Sequence, residues 1–182
     1  MVIILAALVF SVLRFGFFYS VYNQDNAVIT DPDTLSYRYL SLSIFERGKY
    51  ERVAGIPETH RPPVYPIYLA INYAVFGKNN LLAPVIVQHV LFFIASIIVG
   101  YLAYQLAGLM AAVVSYGFLF TDFTVFYYFN EVLSEALFTS LLVFALFFYW
   151  QSLKTAGNRW LNVLLSGLLL TVVIFTRPVG MF

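Results

Sequence analysis

The stretch RPPVYPIYLAINYAVFG, residues 61 to 77, decides the architecture of this chain. If it crosses a membrane, the chain has six spans. If it lies along the surface, there are five. It is apolar after its first residues, yet Pro62 to Gly77 reaches only about 24 Å as a helix rising ~1.5 Å per residue. Pro62, Pro63 and Pro66 also disturb its first turns. Both a short span and an interfacial helix fit these facts.

A membrane enters the reading through composition. Of 182 residues, 62% are hydrophobic and 10% charged, with a mean hydropathy of +0.84. A soluble domain is nearer half apolar and a quarter charged. The surplus apolar surface must therefore face lipid, and the expected fold class is all-α: a polytopic transmembrane helical bundle. A net charge of +1 offers no basic patch to nucleic acid. The chain has no cysteine, which excludes disulfides and thiolate metal sites. His60 and His89 are too few for a histidine cage.

Outward from residues 61–77, the charges are unevenly placed. Twelve of the nineteen charged residues lie between residues 23 and 80. Long apolar runs flank that segment, at about 2–22, 81–104, 109–128, 132–150 and 160–176. Each is near the roughly 17 to 25 residues that a crossing helix needs. Tyr19, Tyr22, Tyr127, Tyr128, Trp150 and Trp160 sit at run ends, as an interfacial aromatic belt would. The N-terminal run lacks the features of a cleaved signal and reads as a retained span. The closing TRPVGMF stops just after an apolar run, which leads us to expect the front part of a longer protein.

The loop QSLKTAGNRW carries Lys154 and Arg159 and no acid, which places it in the cytoplasm. Glu131 is then outside. With five spans the charged segment shares that side; with six it does not. The five-span arrangement is preferred, with residues 23–80 as an outer loop holding interfacial helices at about 32–47 and 62–77. The first has Asp31 as N-cap, Pro32 in the first helical position and Gly48 as its stop. Leu35, Tyr39 and Leu42 share one face, although Leu35 to Ile44 also alternates as a strand would.

Several residues could carry chemistry. Asp33 falls in a first helical turn, where the dipole keeps a carboxylate ionised; it is a cap residue or a general base. Arg61 precedes two prolines that fix its direction, which suits a phosphate gripped by a planar guanidinium. Ordinary lipid headgroups would suit it too. Glu131 and Glu135 are four apart, roughly 6 Å at Cβ on one helical face. A shared metal ion, a proton or a partner arginine would relieve their repulsion. Glu135 opens a long uncharged run, where ionisable groups are costly. Arg177 ends the last run, either snorkelling or contacting a phosphate or carboxylate. Arg14 lies about 12 Å inside the first span, within snorkelling reach. Asp122 could face Arg14 or Arg177, and His89 reads as a buried, hydrogen-bonded residue.

The order of these features resembles the N-terminal half of the GT-C class of membrane glycosyltransferases. It is the pattern of the protein O-mannosyltransferase-like enzymes and of the aminoarabinose transferases. The matching elements are D-x-x-x-Y from Asp33 to Tyr37, RGKY, RPPVYP, the glutamate of SEALF, and TRP. The resemblance implies a sugar donor on a polyprenyl phosphate, bound beside membrane lipid on the extracytoplasmic face of a bacterial inner (plasma) membrane. It implies Asp33 as base or metal contact, Arg61 on the donor phosphate and Glu135 shaping the site, with Glu131 next. Tyr37, Tyr65, His60 and Arg177 fall among the implied substrate-binding residues. A divalent metal ion is an implied cofactor, with Asp33, Glu131 and Glu135 as its candidate ligands; the acceptor is left open. Two rival readings are a non-catalytic assembly subunit and a lipid-linked-sugar transporter. A transporter would carry charges near the midplane of several spans.

Overall fold

The computed structural model describes residues 2–22, 32–154 and 157–177. The expected Asp31 cap lies outside them. The described chain is nearly all-α: α1 (Val2–Tyr22), α2 (Pro32–Arg47), a hairpin of β1 (Glu51–Val53) and β2 (Ile56–Pro57), then α3 (Val64–Phe76), α4 (Leu82–Thr121), α5 (Phe123–Asn130), α6 (Ser134–Lys154) and α7 (Arg159–Ile174). α4 and α6 are long and apolar enough to cross a membrane.

α2 is a helix, which settles the helix–strand ambiguity. Gly48 ends it with φ +65°, and its N–H bonds the carbonyl of Ile44 at 3.0 Å. Only glycine adopts such a conformation without strain. Leu35 and Tyr39 face outward. The face turned to the bundle carries Thr34, Tyr37, Leu40 and Ser41, spaced three and four apart as one helical stripe requires.

α4 is not one rod. Ala107 and Gly108 leave helical geometry, Gly108 with φ +77°. Tyr116 donates to the carbonyl of Ser96 at 3.0 Å. On a straight helix these residues would stand about 30 Å apart. The chain therefore reverses at residues 107–108, and arms 82–106 and 109–121 lie side by side. Where a Cβ on Gly100 would sit, the Tyr116 ring is only 2.5 Å away, so glycine there permits the close approach. These arms correspond to the expected runs 81–104 and 109–128, with one correction. The second run breaks at Asp122, whose carboxylate accepts from the N–H groups of Thr124 (2.7 Å) and Val125 (3.2 Å) and starts α5 as a new helix. α6 and α7 form a further hairpin, pinned where Ser166 donates to the carbonyl of Ala145 at 3.0 Å.

The polar connections sort to two ends of this bundle. At one end Lys154 donates to Gln105 at 2.8 Å. At the other, Val64 N–H bonds the carbonyl of Phe175 (3.1 Å), Tyr68 donates to the carbonyl of Pro84 (2.6 Å) and Tyr65 donates to Gln88 (3.0 Å). Both the start of α3 and the start of α4 lie at this second end. α3 therefore does not run the length of the bundle. Pro66 falls in its first turn, where no backbone donor is lost. A core of Phe18, Tyr37, Tyr65, Leu69, Tyr73, Val85, Val132 and Leu137 fills the same end. Each large side chain buried there contributes about 1.5–3 kcal/mol.

Candidate functional site

α2 lies on this core and is held by side chain to backbone bonds. Thr34 donates to the carbonyl of Val132 at 3.2 Å. The Tyr37 hydroxyl meets the Ser134 hydroxyl at 3.1 Å. From below, Tyr65 donates to Gln88 Oε1, and Gln88 Nε2 donates to the carbonyl of Glu131 at 2.8 Å. The short connection before α6 is thus stitched to α2 and, through Gln88, to α4. This fixes Glu135 in the first turn of α6.

A cavity of about 370 Å³ opens above this connection, lined by Asp33, Tyr37, Arg52, His60, Arg61, Pro62, Ser134, Glu135 and Arg177. Arg61 Nη2 lies 2.8 Å from Asp33 Oδ1. Its guanidinium stacks 4.5 Å from the centre of the Tyr37 ring, and Tyr50 donates to its backbone carbonyl at 2.6 Å. Three contacts thus hold one arginine in place. Partial burial works against its charge, but Asp33 and Tyr37 together more than compensate, and the Arg61 guanidinium is held above its ordinary range. Burial pushes the Tyr50 phenol up to about 12, so it stays a donor across physiological pH. Across the cavity Arg177 Nη2 meets Glu135 Oε1 at 3.3 Å, and Ser134 donates to Glu135 Oε2 at 3.3 Å.

Of the residues singled out from sequence, Asp33, Tyr37, His60, Arg61, Glu135 and Arg177 share this cavity. Tyr65 does not line it. It is fully buried beneath Tyr37, their rings 4.8 Å apart and edge to face. Glu131 is buried in the connection before α6 and is absent from the cavity wall. Among the described residues no group of three or more histidine, aspartate or glutamate side chains is gathered in one place. Both cavity carboxylates instead face arginines. Arg14 is not the surface anchor expected of it. It is 9% exposed, bonds the carbonyl of Leu119 at 3.3 Å and stacks on Phe92 and Phe126. Asp122 caps α5 and does not line the cavity. His89 is half-buried and bonds the carbonyl of Val85 at 2.9 Å.

Two lining residues escaped the sequence reading. Arg52 is delivered by the hairpin, which turns at Gly55 with φ +84°. The apolar–Gly–apolar–Pro pattern of VAGIP was its available signal. Ser134 immediately precedes Glu135, where serine before an apolar run marks a helix start. No family model, curated protein or solved structure matches the chain.

Proposed function

We propose that the chain is an integral membrane module that moves a sugar from a polyprenyl-phosphate carrier to an acceptor hydroxyl outside the cytoplasm. The observation that carries this reading is the one cavity into which Asp33, Arg61, Glu135 and Arg177 converge from four separate parts of the chain. Its membrane setting is supported by the side chains that the helices turn outward, among them Leu13, Met110, Phe118, Phe123 and Trp160. Such a surface is at home in hydrocarbon.

The chemistry follows from the residues. The acceptor oxygen bonds to the anomeric carbon as the bond from that carbon to the phosphate oxygen breaks. The phosphate leaves with the electron pair, and its growing charge faces the preset guanidinium of Arg61. The acceptor proton passes to the Asp33 carboxylate. Attack opposite the phosphate inverts the anomeric centre. Arg177 holds Glu135 in place at the cavity wall.

Asp33→Asn tests this reading. The chain, in a bilayer with a labelled polyprenyl-phosphate sugar, is expected to lose about 10²–10⁴-fold in transfer. Folding should persist, because the Asp33 side chain is 60% exposed. Turnover close to wild type would sink the assignment and favour a non-catalytic subunit.

A further inference from the structure

Tyr37 links the two ion pairs of the cavity. Its ring carries the Arg61 guanidinium, 4.5 Å from the ring centre. The Tyr65 ring meets it edge to face at 4.8 Å, and Tyr65 is itself fixed by its bond to Gln88. Tyr37 is 6% exposed and Tyr65 fully buried, so the Tyr37 ring is boxed in. At its tip the phenol meets Ser134 Oγ at 3.1 Å, and Ser134 is buried. The direction of that bond follows from the protons at hand. A serine hydroxyl has one, and Ser134 gives it to Glu135 Oε2 at 3.3 Å. The phenol is then the donor to Ser134. The hydroxyls of Tyr37 and Ser134 thus point one way, toward the Glu135 carboxylate. A hydrogen-bonded chain that ends on a charge polarises its members. It draws the phenol proton outward, leaves the ring face richer in electrons and strengthens its attraction for a cation.

We propose that Tyr37 and Ser134 are positioning residues that set the Arg61 guanidinium for the donor phosphate, with Ser134 acting only through Tyr37. This rests on the reading of Arg61 as the phosphate contact; it does not need Asp33 to be the base. The stack fixes the plane of the guanidinium, and the bond to Ser134 fixes the ring. The Asp33 side chain is 60% exposed, so water competes for its contact with Arg61, and the buried ring is the firmer guide. The phenol is engaged by Ser134, so Tyr37 acts through its ring and not as a hydrogen-bonding contact to substrate.

The test is equilibrium binding of farnesyl phosphate and of farnesol to the chain in neutral detergent. Their ratio reads the phosphate contact alone. The wild-type chain is expected to prefer the phosphate by about tenfold, as one charge-assisted contact would give. Tyr37→Phe keeps the ring and its packing, so folding should persist. It should cut the preference about three- to fivefold, the worth of one hydrogen bond. Ser134→Ala should cut it equally, and the double variant no further, since both remove the same bond. Farnesol affinity should not change. Arg61→Lys keeps a charge but loses the planar stack. In that background Tyr37→Phe should change the remaining preference by less than about twofold. A preference that survives Tyr37→Phe or Ser134→Ala in the otherwise native chain would overturn the proposal. So would losses that multiply in the double variant, or a Tyr37→Phe loss undiminished beside Lys at position 61, which general loosening of the cavity would produce. Equal affinity of the wild-type chain for the two probes would remove Arg61 as the phosphate contact, and this role with it. Failure of transfer through Asp33 would leave the positioning role intact.

Discussion

Arg177 reaches Glu135 across the cavity, 3.3 Å apart, and ties the segment just after α7 to the first turn of α6. The two side chains are 33% and 19% exposed, so water screens the pair only in part. Removing one partner leaves the other partly desolvated. Glu135→Gln or Arg177→Gln alone is expected to cost about 1–2 kcal/mol of stability. The double variant should lose less than the sum, with a coupling of about 1 kcal/mol. A double-mutant cycle on unfolding measures this. Strictly additive losses would show that the contact contributes nothing.

The helical hairpin at residues 107–108 makes a second prediction. The Tyr116 ring cannot simply swing away from Gly100. Its hydroxyl is bonded to the carbonyl of Ser96, and its face stacks on Phe120 with ring centres 5.5 Å apart. Gly100→Ala should therefore lower the melting temperature, at a cost of about 1–3 kcal/mol typical of overpacking. Tyr116→Ala in the same chain should recover part of the loss. A thermal melt of the three variants decides it; a neutral Gly100→Ala would mean that the arms do not touch there.

Hydropathy made the long helices legible, because an apolar run of sufficient length has few other uses. It did not reveal the break at Asp122, since apolar residues continue on both sides. The signal was local, a side chain able to cap the next helix, and a long hydropathy window averages it away. In the site, Asp33, Arg61 and Glu135 stood out because each is a charge in an unusual local setting. Arg52 did not, because what matters is where the hairpin sets it down, and that depends on packing against α2. Glu131 failed to reach the cavity for a similar reason. The four-residue spacing assumes one helix, but α6 begins at Ser134, so Glu131 precedes it.

The ion pair between Lys78 and Glu46 joins the end of α3 to the end of α2 at 2.8 Å. The bond from Lys78 and its charge hold the Glu46 carboxyl below its ordinary value of 4.5. Unfolding breaks the pair, so the unfolded chain takes up the proton first as pH falls. The contribution is complete above the unfolded value and is lost as pH falls through the lower, folded one. Lys78→Gln should be slightly less stable than wild type at neutral pH, and less so in high salt. The gap should close below the ordinary carboxylate range. Denaturation curves across acid pH measure it, and a gap that persists undiminished would refute the pairing.

The placement of α3 makes the last prediction, and it separates the two topologies outright. α3 and the start of α4 share the end of the bundle that holds the cavity, while Gln105 and Lys154 mark the opposite end. If the bundle crosses the membrane with five spans, Ala54, Thr59 and Asn79 share one side and Gly157 lies on the other. If α3 also crossed, Asn79 would change sides relative to Ala54, and Gly157 would join Ala54. All four positions are exposed, and the chain has no cysteine of its own. Single cysteines can therefore be read with a membrane-impermeant maleimide in intact cells. Labelling is expected at residues 54, 59 and 79 and not at 157 until the membrane is opened. Protection at 79 together with labelling at 157 would put α3 through the bilayer. Glu135 would then lie across the membrane from Asp33 and Arg61, and no composite site could exist.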